Sequence, residues 1–461
     1  MTTQELRTLD KQHVWHPFTP MSLWLDDEPL VITAGDGFHL IDSDGNRYLD
    51  GVSSLWCNVH GHRVSEIDAA IRAQLDRIAH STLLGLANEP SILLAEKLTK
   101  LVPPNLTKVF YSDAGATATE IAFKLAVQYW FNTGKPEKRQ FIAFTEAYHG
   151  DTFGAISVGR MPAFHKPYLP MLFEVHFAPT PYEYRFNPTC DCNNETCDRV
   201  GCRPDSDVKT QCLACLERLL EEHGPRVAGI CIEPIVQGAG GMIVQPAGFL
   251  AEVRRLADEY DTLLICDEVA TGFGRTGKMF AVEHEDVRPD LMTVAKGITG
   301  GYLPLAATCA TQRIFDAFLG RPSEGRTFFH GHTYTGNPLA CAAALANLEL
   351  MERNDTVGNV ARNAVELARL LEPLRELPHV GDIRQKGYMV GVELVRDRGT
   401  REAFDPALRI GHAVCRRLRG SGVILRPLGD VIVLMPPPAM GMDDLGRIVA
   451  ALTAELGTIE A

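Results

Sequence analysis

The 461-residue sequence has no long apolar run and no excess of basic residues. No stretch approaches the roughly 20 consecutive apolar residues that a membrane-spanning helix needs. Acidic residues outnumber basic ones by 58 to 45, which gives a formal charge of −13. This balance argues against nucleic acid or an anionic membrane surface as the main partner. We therefore expect no nucleic-acid partner and no membrane partner.

The amino-terminal residues, MTTQELRTLDKQ, are polar and of mixed charge, unlike a secretory signal peptide. Several of the twelve cysteines lie inside apolar, strand-like runs, among them Cys231, Cys266 and Cys309. Cysteines in such runs behave as small buried hydrophobic residues with free thiols. These features predict a cytoplasmic protein.

Six short apolar runs alternate with helical patterns between residues 107 and 312. The runs are KVFYS (108–112), FIAF (141–144), VAGICIE (227–233), TLLICDE (262–268), LMTVA (291–295) and LAATCAT (305–311). Most are continuously apolar, which is typical of strands buried on both faces of a parallel sheet. Segments such as 119–130 and 249–260 carry apolar residues at helical spacing. The alternation predicts an α/β fold with a large central, mostly parallel sheet.

The two ends of the chain follow a different pattern. Residues 30–56 are typical of a hairpin with its turn at Asp44-Gly45. Near the other end, a long Ala-rich helix is followed by the strand-like runs GYMVGVELV and VILRPLGDVIVLMPP. We predict a small α+β domain built from residues 1–65 and 337–461, and a large domain of residues 66–336.

A lysine and an aspartate lie at the predicted carboxyl ends of two strands. Asp267 ends TLLICD, and Lys296 follows LMTVA. Ligands of open α/β sheets bind outside the carboxyl ends of the strands. A lysine there is costly unless it is neutral or used covalently, for example in a Schiff base, and a carboxylate nearby can hold a pyridine nitrogen protonated. On this pair alone, an ordinary Lys–Asp ion pair is the simpler explanation.

A helix start after strand KVFYS is a candidate phosphate site. The strand runs into DAGAT (113–117), and Thr117 with Glu120 fits a capping box that places the helix start near Thr117. Small residues before the helix leave backbone N–H groups open to an anion, helped by the helix dipole. After the next strand, Tyr148 offers a flat ring for stacking on a cofactor. The alternatives are an ordinary capped helix and an aromatic side chain packed on protein.

Together the motifs resemble those of the class III aminotransferases, which are fold-type I enzymes dependent on pyridoxal 5′-phosphate (PLP). The resemblance is carried by HVWHPFTPM (13–21), SSLWCNVHGH (53–62), YSDAGATATE (111–120), YHGDTFGA (148–155), EPIVQGAGGM (233–242), DEVATGFGRTGK (267–278), AKGITGG (295–301), GHTYTGNPLACAAA (331–344) and RPLGD…LMPP (426–437). The first and last motifs are similar to the branch that converts 8-amino-7-oxononanoate (KAPA) into 7,8-diaminononanoate (DAPA) in biotin synthesis. Another ω-amino transaminase is the alternative function.

The resemblance implies a role for each matching position. It implies that Lys296 holds PLP, that Asp267 contacts the pyridine nitrogen and that Tyr148 stacks on the ring, so these three are the expected catalytic residues. It also implies a homodimer with shared active sites. The implied phosphate ligands are Gly115 and Ala116 and, from the neighbouring subunit, His332 and Thr333.

The resemblance also implies a substrate site that departs from the usual family pattern. The implied substrate residues are Phe18, Leu55, Trp56, Tyr148, Lys296, Gly331 and Arg426, with Arg426 holding the KAPA carboxylate. Phe18 replaces a tyrosine, and Leu55 replaces the first residue of a Trp-Trp pair, in the branch that takes its amino group from S-adenosylmethionine. Other motifs are similar to a branch that uses lysine, so both donors remain open. Arg275 is expected to belong to the same site.

A cluster of cysteines lies in a polar stretch and is expected to form a surface insertion at about residues 186–216. Its members are Cys190, Cys192, Cys197, Cys202, Cys212 and Cys215. Four thiolates can hold a structural zinc ion. Exposed reduced thiols are the alternative, because the spacing fits no standard zinc motif.

Overall fold

The structure is a computed structural model that describes residues 1–159, 161–186 and 207–459. Its α-helices are α1 (Thr3–His13), α2 (Met21–Asp26), α3 (Ser53–Trp56), α4 (Ser65–Leu75), α5 (Glu89–Leu101), α6 (Gly115–Asn132), α7 (Phe153–Val158), α8 (Pro162–His165), α9 (Val208–His223), α10 (Phe249–Glu259), α11 (Gln312–Asp316), α12 (Pro338–Arg353), α13 (Thr356–Leu371), α14 (Ile410–Leu418) and α15 (Met442–Leu456). Its strands are β1 (Ile32–Asp36), β2 (His39–Asp42), β3 (Arg47–Asp50), β4 (Leu106–Ser112), β5 (Gln140–Phe144), β6 (Val175–Ala178), β7 (Val227–Ile232), β8 (Val236–Gln237), β9 (Ile243–Val244), β10 (Leu263–Asp267), β11 (Leu291–Val294), β12 (Ala306–Thr311), β13 (Val380–Lys386), β14 (Met389–Leu394), β15 (Val423–Ile424), β16 (Arg426–Leu428) and β17 (Val431–Leu434).

A seven-stranded sheet lies at the centre of the fold, in the order β4-β12-β11-β10-β7-β5-β6. Strand β12 pairs antiparallel with its two neighbours, and the other pairs are parallel. All six predicted strands are present, so the prediction of an α/β fold with a mostly parallel sheet is confirmed. Strand β6 at the edge (VHFA) was not predicted, because His176 interrupts its apolar residues and three of its four residues are only half-buried.

Side chains of the central strands alternate between two buried layers. In β10, Leu263 and Ile265 pack in the layer that contains α6, whereas Leu264 and Cys266 pack in the layer that contains α9 and α10. Burying a leucine or isoleucine side chain contributes about 1.5–3 kcal/mol. Packing on both faces therefore fixes the strand ends that carry the polar residues. Among the described residues, no helix has the length and apolar character to cross a membrane.

The two ends of the chain meet in a second sheet. Strands β1, β2 and β3 form an antiparallel meander, and β3 pairs in parallel with β15 from the carboxyl-terminal part. The predicted turn at Asp44-Gly45 joins β2 to β3, where the carboxylate of Asp42 accepts the N–H groups of Asp44 and Asn46. A separate four-stranded sheet has the order β13-β14-β17-β16. The domain boundaries given above stay a prediction.

Part of the expected cysteine-rich surface insertion is a core helix instead. Cys212 and Cys215 lie in α9, whose N-cap is Asp207, and both are buried. Their spacing of three places them on the helix face that also carries Leu216 and Leu220. The alternative of exposed reduced thiols is therefore wrong for these two residues, and α9 is not part of a surface insertion. Cys190, Cys192, Cys197 and Cys202 lie outside the described residues.

Candidate active site

A cavity of about 660 Å³ opens at the carboxyl ends of the central strands. This volume lies in the range of small-molecule and cofactor sites. Strand β10 ends at Asp267, β11 is followed by Ala295 and Lys296, and β7 is followed by Glu233. The predicted site residues in its wall are Lys296, Asp267, Tyr148, Gly115, Ala116 and Trp56.

Lys296 projects its amine into this cavity from a tight turn. The chain leaves β11 and enters a 3-10 turn, Lys296–Thr299, with Lys296 at a φ of +46°. Its Nζ lies 4.8 Å from the centroid of the Trp56 ring. Burial lowers the pKa of Lys296, against the opposing effect of Asp267 and Glu233. A lowered pKa raises the share of neutral amine, the form that attacks a carbonyl and accepts a proton.

Asp267 is held in place by hydrogen bonds from three directions. Its Oδ1 accepts the N–H of Val269 at 3.0 Å and the hydroxyl of Thr293 at 3.1 Å. Its Oδ2 lies 2.7 Å from Nδ1 of His149, and both side chains are buried. Thr293 comes from the neighbouring strand β11, so the sheet itself orients the carboxylate.

His149 forms a buried pair with Asp267 and lies against a thiol. The Sγ atom of Cys231, in β7, is 3.7 Å from Nε2 of His149. Burial alone would lower the pKa of His149, but Cys231 and the carboxylate of Asp267 beside it raise that pKa well above its usual value. The imidazole of His149 therefore favours its cationic form beside the carboxylate of Asp267. An ionised carboxylate at this place can hold a pyridinium nitrogen protonated.

Helix α6 begins at the cavity without a side-chain cap. Its first residue is Gly115, and the N-cap residue, Ala114, has no side chain that accepts a hydrogen bond. The predicted capping box at Thr117 is wrong, because the hydroxyl of Thr117 instead accepts the N–H of Ala114 at 3.1 Å. Glu120 accepts the hydroxyl of Thr152 at 2.5 Å. The N–H groups at the start of α6 thus remain available to an anion at the cavity wall.

Trp56 reaches the cavity from a segment with strained backbone. Ser53, Ser54 and Trp56 all have positive φ angles. Asp50 accepts the N–H of Ser54 at 2.7 Å, and the fully buried Arg275 donates to the hydroxyl of Ser53 at 2.9 Å. Residues in such conformations cost about 1–3 kcal/mol each and persist only where neighbours hold them. The segment thus places the indole ring beside the amine of Lys296.

Arg275 lies beneath this segment rather than in the cavity wall. Its guanidinium also donates to the carbonyls of Pro436 at 2.6 Å and Asn58 at 2.8 Å. Burial lowers its pKa to about 10. The expectation that Arg275 belongs to the site is therefore wrong. Its guanidinium instead supports the segment that carries Trp56.

Three predicted substrate residues lie outside the cavity wall. Phe18 is 54% exposed and packs edge-on against Phe164, with ring centroids 5.7 Å apart. Leu55 is 44% exposed, since the strained segment turns Trp56 inward and leaves Leu55 outward. Arg426 begins β16, where burial lowers its pKa and the nearby Tyr148 opposes that effect. The guanidinium is therefore near enough to Tyr148 for the two groups to interact electrostatically.

Gly331, His332 and Thr333 also do not line the cavity of their own chain. Nδ1 of His332 lies 3.1 Å from Oδ1 of Asp113, a residue at the cavity edge. The N–H of His332 donates to the hydroxyl of Thr335 at 3.0 Å. Contacts within the chain thus hold this loop beside the cavity. Gly331 and Thr333 are not part of the cavity wall.

Among the polar residues of the cavity wall that the sequence analysis missed are Asp151 and Glu233. Asp151 accepts the hydroxyl of Tyr148 at 2.7 Å. Glu233 accepts the N–H of Tyr148 at 3.0 Å, and burial raises its pKa to about 7. The signal for Glu233 was present, because it follows a buried strand just as Lys296 follows β11.

The class III aminotransferase family matches residues 22–456. The chain belongs to the class III aminotransferases. The adenosylmethionine-8-amino-7-oxononanoate aminotransferase of Geobacter sulfurreducens is 52% identical over 457 residues, which cover 99% of this chain and 98% of the relative. The enzyme of the same name from Staphylococcus aureus is 44% identical, covering 97% of this chain and 96% of the relative.

Solved structures of an aminotransferase and an amine transaminase have the same fold. The adenosylmethionine-8-amino-7-oxononanoate aminotransferase of Methanocaldococcus jannaschii has a TM-score of 0.92 and 42% identity, covering 99% of this chain and all of that one. A PLP-bound amine transaminase from an uncultivated Pseudomonas species has a TM-score of 0.89 and 38% identity, covering 96% and 98% of the two chains.

The cavity of this class III aminotransferase fits PLP. The cofactor needs an anion site, an ionised partner for a ring nitrogen and an amine that reaches an aldehyde. The uncapped start of α6, the buried Asp267 and the amine of Lys296 lie in one cavity wall and match these needs.

A metal site is not supported by the structure. Within residues 1–159, 161–186 and 207–459, no three His, Cys, Asp or Glu side chains are grouped to hold a metal ion. Four of the six clustered cysteines lie outside those ranges, so the structural zinc ion stays a prediction without support.

Proposed function

We propose that this class III aminotransferase transfers the amino group of S-adenosylmethionine to KAPA and so forms DAPA. The observation that carries an amino transfer is that Lys296 and Asp267 face the same cavity. The choice of substrates is supported by full-length relatives of that name, such as the one 52% identical to this chain.

In this proposal the cavity wall supplies each contact that PLP needs. The N–H groups of Gly115 and Ala116 would hold the phosphate, Tyr148 would cover the ring, and Asp267 would contact the ring nitrogen. Bound PLP supplies an aldehyde that links to amines and a ring that withdraws electrons from the neighbouring carbon. The amine of Lys296 holds the cofactor between turnovers.

Lys296 then moves the proton on which amino transfer depends. With PLP bound, the neutral amine of Lys296 would accept a proton from the substrate and later return it. A lowered pKa suits this exchange, because the amine must be neutral to accept the proton.

Trp56 and Arg426 select the substrates in this proposal. The indole of Trp56 provides an apolar wall beside Lys296, which suits two substrates of different shape. The fork of Arg426 binds the KAPA carboxylate from the Tyr148 side. Phe18 and Leu55 lie outside the cavity wall and carry neither a hydroxyl nor a second indole, so donor selection does not use those groups.

We infer that the active site is shared within a homodimer. Gly331, His332 and Thr333 do not line the cavity of their own chain, although the motif that contains them matches the family. In a homodimer the hydroxyl of Thr333 would complete the phosphate site of the neighbouring subunit.

The assay that tests the proposal separates donor from acceptor. Purified enzyme with PLP and KAPA is incubated with S-adenosylmethionine, with lysine or with a simple primary amine, and DAPA is measured. We expect DAPA with S-adenosylmethionine, and none from the Lys296→Ala variant. DAPA formed with lysine alone would refute the donor, and no DAPA with any amine would refute the acceptor as well.

A further inference from the structure

One buried carboxylate joins two separate loops of the cavity. Glu233 follows β7 and is 4% exposed. Its Oε1 accepts the N–H of Tyr148 at 3.0 Å, and its Oε2 accepts the N–H of Gly238 at 2.8 Å. Each carboxylate oxygen thus serves a different segment of chain.

These two segments support the two aromatic walls of the cavity. Tyr148 itself forms one wall. Gly238 lies behind the other, because a methyl group placed on it would lie 3.3 Å from Cζ3 of Trp56. The centroid of the same indole ring lies 4.8 Å from Nζ of Lys296. A shift of either loop would therefore change the space beside the lysine amine.

We propose that Glu233 is a positioning residue that holds the Tyr148 and Trp56 walls at a fixed separation around Lys296. The inference rests on the proposed function, in which Tyr148 covers the cofactor ring and Trp56 borders the substrate. Glu233 acts through the two backbone N–H groups and takes no proton from the substrate.

The chemistry of the contact requires a carboxylate. Two N–H donors need two acceptor oxygens, and glutamine offers one oxygen and one NH₂ group. In Glu233→Gln one backbone N–H would face another donor inside the protein, which is unfavourable because no water can replace the lost acceptor. That loop must then move, and the wall that it supports moves with it.

A second buried glutamate provides a matched control. Glu268 is also buried, and burial raises its pKa to about 7 as well. It accepts the N–H of Val282 at 2.9 Å and the hydroxyl of Thr271 at 2.5 Å, but it does not line the cavity. Glutamine at this position keeps both contacts, because a hydroxyl can accept from the NH₂ group. Glu268→Gln thus removes a buried carboxyl without disturbing the walls.

The test compares the two variants as PLP-loaded enzymes. The visible circular dichroism of bound PLP reports how the ring sits in the protein, and steady-state kinetics give KM for KAPA. We expect Glu233→Gln to change the visible band and to raise KM roughly 10-fold or more, while Glu268→Gln matches the wild type. A wild-type band and KM in Glu233→Gln, or equal changes in both variants, would overturn the inference.

Two further measurements keep the inference separate from folding and from the proposed function. If Glu233→Gln does not fold, the Gly238→Ala variant is measured in its place. Its methyl group would contact Trp56 while the carboxylate of Glu233 stays intact. A raised KM for KAPA supports the inference, and an unchanged KM overturns it. The visible band is recorded without KAPA, so it reports on Glu233 even if the wild-type enzyme forms no DAPA.

Discussion

Asp267 combines a charge with a fixed shape, and the two can be separated by a single substitution. Asp267→Asn keeps the size of the side chain and can keep the contacts with Thr293 and Val269, but it removes the negative charge opposite His149. Without that charge, a ring nitrogen placed there is no longer held protonated.

We expect Asp267→Asn to lower kcat at least about 100-fold while the variant still binds PLP. Steady-state kinetics and the visible spectrum measure the two effects. The control is Asp261→Asn, which removes an exposed carboxylate paired with Lys135 at 2.5 Å. Equal kcat in Asp267→Asn and Asp261→Asn would contradict the role of Asp267.

Glu268 makes the stability of the protein depend on pH. Burial raises its pKa from 4.5 to about 7, so the folded protein holds a proton there that the unfolded chain has already released. This stabilising contribution is fully present below pH 4.5 and is lost as the pH rises through about 7.

We expect the free energy of unfolding of the wild type to fall more between pH 4.5 and 7 than that of Glu268→Gln, by about 3 kcal/mol. Urea unfolding at several pH values measures both slopes. Other groups that titrate in this range are common to both proteins and cancel in the difference. Parallel curves would show that Glu268 is ionised in the folded state.

The start of helix α6 depends on a close approach by the loop after β5. Gly150 has a φ of +121°, and a methyl group placed on it would lie 2.7 Å from Cα of Ala116. Gly134, just beyond the other end of α6, also has a positive φ of +85° but has nothing within 4 Å of that position. Both glycines have a positive φ that other residues rarely adopt, but only Gly150 has atoms close to the position of an added methyl group.

We expect Gly150→Ala to weaken PLP binding roughly 10-fold or more, because the methyl group displaces the N–H groups at the start of α6. Gly134→Ala should cost only the strain of its backbone, about 1–3 kcal/mol of stability, with PLP affinity unchanged. Fluorescence titration with PLP measures the affinity. A Gly150→Ala variant that binds PLP as tightly as Gly134→Ala would exclude the start of α6 as the phosphate site.

The sequence predicts the presence of helices and strands well, and it predicts the residues at which they begin and end less well. The apolar runs of β7, β10, β11 and β12 are evident because these strands are buried on both faces. The predicted start of α6 was two residues too late. The capping box assumed that Glu120 caps the helix, whereas its carboxylate accepts a hydrogen bond from the hydroxyl of Thr152 in a distant loop, which the sequence spacing does not reveal. Contacts between distant segments decide such details, and a single sequence does not show them.

For the molecule as a whole, the sequence predicts the side chains at strand ends but not every wall of the site. Lys296 and Asp267 were predicted from the ends of buried strands, and the structure places both in one cavity. The bridging role of Glu233 depends on where two loops fold back, which no local pattern encodes.

A shared active site would allow two inactive chains to restore each other. Lys296→Ala removes the amine of a chain's own site, whereas Thr333→Ala removes a hydroxyl from the neighbour's site. In a mixed homodimer one active site contains both substitutions, and the other contains the wild-type Lys296 and the wild-type Thr333. We expect coexpression of the two variants to recover about a quarter of wild-type activity, because about half of the dimers are mixed.

Activity of the separated mixed dimer measures this recovery directly. The control is coexpression of Lys296→Ala with itself, which restores nothing. If the mixed dimer is no more active than its parents, Thr333 does not contribute to the site of the neighbouring subunit.

The central claim is that the amine of Lys296 holds PLP. The most direct measurement treats PLP-loaded enzyme with borohydride, digests it and locates the phosphopyridoxyl group by mass spectrometry. The account predicts that the group is attached to Lys296. A stable label on another lysine, such as the exposed Lys278, or no label at all, would contradict it.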